Sequence, residues 1–211
     1  TLLSCKGNPT TEEPAEQLPD PGELMVGVAK ARMPIPLGIG TAGFGPFGVA
    51  SNGSPFADIF PATENIHNHP DIRAVVISRD GPYELIFVRL DAVGVFQQFR
   101  TAVVEEIEER LDKDIDPGLV LGATHTHSGP GRLVDLGGPA DLIADTFFPE
   151  HYERMVDSIA DVIEAAYADL KPGRVGHVFA NVGDAISDRR CEDGQPDYVN
   201  STVPVLAVEQ E

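Results

Sequence analysis

The chain alternates short apolar runs with two long periodic segments. Leu24-Met25-Val26-Gly27-Val28-Ala29 reads as a first strand. Arg73-Ala74-Val75-Val76-Ile77-Ser78 and Glu84-Leu85-Ile86-Phe87-Val88-Arg89-Leu90 are rich in β-branched residues. The turn-forming Arg79-Asp80-Gly81-Pro82-Tyr83 between them makes the pair a hairpin. Phe96, Phe99, Val103, Ile107 and Leu111 then recur every three or four positions. This is one apolar stripe of an amphipathic helix, with Glu105, Glu106, Glu108 and Glu109 turned mostly to water. Asp116-Pro117-Gly118 ends the segment. Leu119-Val120-Leu121-Gly122-Ala123 follows as an expected buried strand.

A second helix is predicted from Pro149 to Leu170, with Tyr152, Met155, Ile159, Val162, Ile163, Ala166 and Leu170 on its stripe and Lys171-Pro172-Gly173 as its stop. Strands near 174–180 and 203–208 close the pattern. Strands alternating with helices, plus one hairpin, predict an α/β architecture with a mixed sheet and flanking helices.

Two regions fall outside this pattern. From Met33 to Pro61 the chain is broken by Pro34, Pro36, Pro46, Pro55 and Pro61 and by many glycines, which predicts a long functional loop. Residues 1–23 read as a disordered lipoprotein-type tether, since Pro9, Pro14, Pro19 and Pro21 interleave with Glu12, Glu13, Glu16 and Asp20. Leu2-Leu3-Ser4-Cys5 at its head looks like a bacterial lipobox, whose Cys carries lipid after signal cleavage. That places the protein in a bacterial cell envelope or outside the cell, with Cys5 its only expected tie to a membrane.

Composition narrows the class. Of 211 residues, 42% are hydrophobic and 23% charged, as expected of a folded chain. Fifteen Lys and Arg stand against 34 Asp and Glu, a formal net charge of −19. Without basic clusters the chain is not built to neutralise phosphates, so no nucleic-acid partner is expected. The two cysteines, Cys5 and Cys191, form neither a disulfide framework nor a CxxC site.

The chemistry concentrates in Ala123-Thr124-His125-Thr126-His127-Ser128-Gly129-Pro130-Gly131, directly after the 119–123 strand. Ligands of open α/β sheets collect at the carboxyl ends of strands. Two His at i and i+2 in extended chain point the same way. They can act as two metal ligands, or as one ligand and one proton carrier. Ser128 is a poor nucleophile, because adjacent side chains diverge in extended chain and no GxSxG elbow exists. Gly38-Ile39-Gly40-Thr41-Ala42-Gly43 matches GxGxxG but lacks the flanking strand and helix a dinucleotide site needs. It reads instead as a loop letting backbone N–H groups approach a substrate. His67 and His69 form a second HxH, whose loop setting beside Pro70 points to a structural or surface role. Asp91, at the end of a strand, reads either as a helix N-cap or as a carboxylate that orients a His through its second ring nitrogen.

These residues, in this order, resemble the N-terminal part of the neutral (non-lysosomal) ceramidase family. The matching pieces are Gly27-Val28-Ala29-Lys30-Ala31, the segment from Pro36 to Gly45, Ile66-His67, Ile72-Arg73-Ala74, Phe87 to Asp91, Leu170 to Arg174 and Ser187-Asp188-Arg189-Arg190. The specific part is His125-Thr126-His127-Ser128-Gly129-Pro130-Gly131. The resemblance implies a zinc amidohydrolase that cuts the N-acyl bond of ceramide or a related N-acyl lipid. By it, His125 is a zinc ligand, His127 assists proton transfer beside the metal-bound water, and Arg189 and Gly43 line the substrate pocket. The family's further zinc ligands, a His, a Glu and a Tyr, lie downstream of the matched region. Residues 24–211 thus read as the N-terminal portion of a larger zinc-hydrolase domain, inactive alone. Phe44 stands where the family commonly has Tyr, and Asp188 where Asn is common. Two other readings compete: a non-catalytic surface lipoprotein keeping the fold as a binding module, and a metallohydrolase of another amide or ester.

Overall fold

A computed structural model describes residues 23–42, 54–57, 61–79, 84–135, 146–185 and 200–211. The expected tether with Cys5, and Gly43, Phe44, Asp188, Arg189 and Cys191, lie outside the described residues. Among these residues, six strands and two α-helices follow in the order β1 (Met25–Arg32), β2 (Asp71–Ser78), β3 (Glu84–Leu90), α1 (Gln97–Leu111), β4 (Leu119–Ala123), α2 (Pro149–Ala168), β5 (Lys171–Asn181) and β6 (Thr202–Gln210). The strands form a single sheet in the order β4-β3-β2-β1-β5-β6. Only β3 and β4 run parallel; the other neighbours are antiparallel. This is the expected mixed sheet with flanking helices.

Alternation along the strands decides which face is covered. Ile72, Ala74 and Val76 of β2 and Ile86, Val88 and Leu90 of β3 are buried, while Arg73 and Leu85 between them are exposed. The buried set meets Phe99, Val103 and Ile107 of α1 and Met155, Ile159 and Ile163 of α2 in one core. Strand period 2 and helix period 3.6 thus converge on the same layer. Gly27 of β1 lets α2 lie close, since a Cβ there would land on the Ala166 carbonyl oxygen. On the solvent side of the helix pair, Arg110 of α1 reaches Glu106 at 2.6 Å and Asp161 and Glu164 of α2 at 2.7 and 3.0 Å.

Two expectations are corrected. The 119–123 run is not a fully buried strand: among the described residues β4 is the sheet edge, with Leu119 buried but Val120 49% exposed. Its apolar run packs on one face only, because the helices cover that face and leave Val120 on the other. The Lys171-Pro172-Gly173 stop is already part of β5, where Pro172 and Lys171 pair with Met25 and Val26. Beyond these two rungs β5 and β6 pair with each other as a ribbon that leaves Val178, Phe179 and Leu206 exposed. No helix among the described residues is long and apolar enough to cross a membrane.

Candidate functional site

The parallel β3–β4 pair places two strand ends side by side, with Leu90 opposite Ala123. The Asp91–Val93 segment therefore leaves the sheet next to Thr124 and His125. The Thr124 N–H donates to the Leu90 carbonyl at 3.0 Å. One step on, the chain departs from the extended form expected of it. His125 has φ 61°, the left-handed region that residues other than glycine rarely adopt. The two histidines are brought together by this turn rather than by strand alternation. Their rings meet edge to face, centroids 5.0 Å apart.

The His125 ring is held from below. Its Nδ1 donates to the Val93 carbonyl at 2.7 Å, which leaves Nε2 as the nitrogen able to take a ligand. Asp91 therefore does not orient this histidine directly. Nor does it cap a helix, because Phe96 is the N-cap of α1. The Asp91 carboxylate instead accepts the Asp71 N–H at 3.0 Å and bonds Arg89. Partial burial pushes its pKa up, but these donors more than offset that and hold the group below the usual carboxylate range.

The glycine-rich segment closes over the same loop. Thr41 bridges Pro130, and the Gly131 N–H donates to the Gly40 carbonyl at 2.8 Å. On the far side Gly40 bridges Ala62. The result is a cleft of about 640 Å³ whose walls include Thr41, Thr63, Glu64, His67, His127 and Ser128. His67, expected to be a surface residue, is exposed yet shares this cleft with His127. Nothing in the local sequence signals this, because the two residues meet only through the Gly40–Ala62 and Thr41–Pro130 bridges. His69 has a local role, its Nδ1 bonding the Pro70 carbonyl at 3.0 Å. Ser128 is exposed at the rim, and its N–H is taken by the Thr126 hydroxyl.

Behind the loop, Arg132 runs back to α2. It also has positive φ, its carbonyl accepts the Phe148 N–H at 3.1 Å, and its guanidinium lies over the Phe148 ring. His151 beneath it is 2% exposed, and neither ring nitrogen has a hydrogen-bond partner. Burial first, and the Arg132 charge second, push its pKa from 6.5 to about 4. An imidazole that is harder to protonate in the fold than in the unfolded chain makes stability depend on acid. The contribution is complete above pH 6.5 and is lost as pH falls toward 4. The shift corresponds to about 3 kcal/mol. Asp169, held by Lys171 and Gln210 at about 2, loses its own contribution only below the usual carboxylate range, so the two windows separate. Denaturant midpoints should fall between pH 7 and 4.5 in the natural protein, and the slope should flatten in His151→Gln. An unchanged slope in that variant would remove His151 as its cause.

The residues present fit a divalent metal in kind but not in number. His125 offers an oriented imidazole beside His127, yet no three His, Cys, Asp or Glu side chains among the described residues converge on one point. Catalytic zinc normally takes three protein ligands.

Comparison with known proteins places this geometry. The sequence pattern of neutral/alkaline non-lysosomal ceramidases, N-terminal region, matches residues 41–192. The neutral ceramidase of Pseudomonas aeruginosa is 30% identical over 122 residues, 57% of this chain and 18% of that protein. Neutral ceramidase 1 of Arabidopsis thaliana is 25% identical over 133 residues, 62% of this chain and 16% of that protein. Among solved structures, the P. aeruginosa neutral ceramidase shares the fold, with a TM-score of 0.63 over 90% of this chain and 30% of its own at 24% identity. A ceramidase complexed with C2 gives a TM-score of 0.64 at 26% identity, over 90% of this chain and 29% of its own. The chain thus spans less than a third of the solved ceramidases and less than a fifth of these curated relatives. With its His loop and most of its length inside the matched region, the chain belongs to the neutral/alkaline non-lysosomal ceramidase family, whose N-terminal region it represents.

Proposed function

We propose that this chain is the N-terminal portion of a zinc-dependent amidohydrolase that cleaves the N-acyl bond of ceramide or a related N-acyl lipid. The observation that carries the proposal is the His125 ring, tied at Nδ1 to Val93 and set edge to face with His127 at the ends of two parallel strands. In this reading His125 is one zinc ligand through Nε2, and the remaining ligands come from the part of the relatives that this chain does not span. Zinc, when bound, lowers the pKa of its water and polarises the amide carbonyl. His127 then stands where it moves a proton between the attacking water and the leaving amine, or donates to the developing oxyanion. The Thr41–Pro130 bridge holds the glycine-rich segment against this loop, and the roles of Gly43 and Arg189 at the substrate are supported by the sequence resemblance. The bridged cleft around His127 gives the acyl amide a place shielded on two sides.

The same reading puts the protein in a bacterial cell envelope, lipidated at Cys5, or outside the cell. Its support is the Leu2-Leu3-Ser4-Cys5 string and the Pro-rich acidic stretch after it.

The test is zinc content and turnover of the full protein. About one zinc per chain, with fatty acid released from an N-acyl sphingoid lipid and lost on chelation, is expected. A protein holding no zinc and hydrolysing nothing would be a binding module instead. Turnover of other amides or esters, but not N-acyl lipids, would keep the metal and replace the substrate.

A further inference from the structure

We infer that the sheet face opposite the helices, together with the β5–β6 ribbon, is the seat of a second layer supplied by the part of the ceramidase that this chain does not span. The inference rests on the family assignment and is independent of the zinc reading.

The strands are apolar on both faces. Ala74-Val75-Val76-Ile77 of β2 and Leu85-Ile86-Phe87-Val88 of β3 are unbroken apolar runs, the pattern of strands buried front and back. The helices α1 and α2 cover one face only. On the other face the register aligns Val28, Val75, Phe87 and Val120 in one row across β1, β2, β3 and β4. Val28 and Val120, at the two ends of that row, are 41% and 49% exposed. The next row on this face, toward the His125 end of the sheet, is Lys30, Arg73 and Arg89. The ribbon is the extreme case. Its register places Val175, Phe179 and Leu206 on one face and Val178, Val203 and Val205 on the other. All six are exposed, Phe179 at 67% and Val178 at 58%, and none belongs to the core that the helices complete.

A two-stranded ribbon is at best marginal in water, and contiguous exposed apolar surface marks a face that binds something. Three occupants compete for it. A lipid surface meets a ribbon from one side, whereas this ribbon is apolar on both and runs out to the polar Asn181 and Thr202. A second copy would bring together two chains of formal net charge −19. The rest of the enzyme meets neither objection. The chain spans less than a third of the solved ceramidases that share its fold, so the greater part of such an enzyme lies outside it. Charge narrows the chemistry of the covering layer. Lys30 and Arg73 share Asp71 at 2.7 and 3.4 Å, and Arg89 takes Asp91. With the exposed Arg32 beside them, this row carries a positive surplus in an otherwise acidic chain. The layer is therefore apolar over the Val28–Val120 row and the ribbon, and carries carboxylates over Lys30, Arg73 and Arg89.

The test maps chemical accessibility in the full-length protein. Val28→Cys, Val178→Cys and Phe179→Cys probe the sheet row and both faces of the ribbon, and Glu109→Cys on the solvent side of α1 is the exposed reference. Maleimide labelling is followed by mass spectrometry of the peptide that carries the new cysteine. The three apolar positions should label about 100-fold more slowly than Glu109→Cys, because they react only through local opening. Their protection should be the same at every protein concentration and without lipid. The unmodified protein gives a second reading that a poorly folding variant cannot spoil. In this chain the Lys30 and Lys113 side chains are similarly exposed, 56% and 45%, and each pairs with a carboxylate. In the full-length protein, acetylation of Lys30 should be about 10-fold slower than that of Lys113. Labelling of the three cysteines at the Glu109→Cys rate, or equal acetylation of the two lysines, would overturn the inference. Protection that grows with protein concentration would overturn it in favour of a second copy. Protection seen only with phosphatidylcholine vesicles would overturn it in favour of a lipid surface.

Discussion

In the full-length protein, under the proposed zinc reading, His125→Ala should abolish zinc binding and cut turnover about a thousandfold, the effect of losing several kcal/mol of metal assistance. The informative comparison is with His125→Gly. Both variants remove the imidazole and its bond to the Val93 carbonyl. They differ in backbone cost, because position 125 has φ 61°, which alanine adopts with strain and glycine without it. His125→Gly should therefore be more stable than His125→Ala by about 1 kcal/mol, while remaining equally inactive. Parallel melts and steady-state rates check this. If the glycine variant recovered activity along with stability, His125 would serve the backbone of the loop and not the chemistry.

Gly129→Ala should lower kcat/KM about a hundredfold without touching a polar side chain. A Cβ at 129 would stand 2.5 Å from the Asp91 carbonyl oxygen and 3.4 Å from the Ala92 Cα, both fixed backbone next to the sheet. Relief requires the His loop to move away from the Asp91–Val93 segment, which strains the 2.7 Å bond from His125 to Val93. It also loosens the glycine-rich segment, since the Gly129 carbonyl accepts the Ala42 N–H. A displacement of about 1 Å in a catalytic constellation costs on the order of 10²-fold in rate. Overpacking adds about 1–3 kcal/mol of destabilisation. Rates and melts of Gly129→Ala separate the two effects. Wild-type kinetics in this variant would mean that the close approach to Asp91 has no bearing on the site.

The two predictions rest on different kinds of information. The His125 prediction begins in the sequence, where a paired histidine after an apolar run and before Gly-Pro-Gly already points to chemistry. The Gly129 prediction does not. A glycine in a turn-rich string has many explanations, and only the approach of Asp91 selects among them. The same contrast holds for Asp91. Its place at a strand end was legible, but both roles read from it, helix cap and direct partner of a histidine, are replaced by bonds to Asp71 and Arg89. Asp71 lies on another strand, β2, and no local pattern links it to Asp91. His67 is a further case, brought to the cleft of His127 by bridges from Gly40 and Thr41.

The sequence by itself determined the two helices, the β2–β3 hairpin and the sheet class, because each follows from local periodicity: a 3.6-residue stripe from Phe99 to Ile107 and from Met155 to Ala166, and β-rich runs at 73–78 and 84–90. It also marked the family, through a contiguous string from Ala123 to Gly131. Only the tertiary structure decided that β4 is an edge among the described residues, that His125 turns left-handed, and that the Val93 carbonyl accepts its Nδ1–H. Each of these depends on which strand ends lie side by side. That is set by the burial of one sheet face against two helices, a property of the whole packed chain and of no window within it.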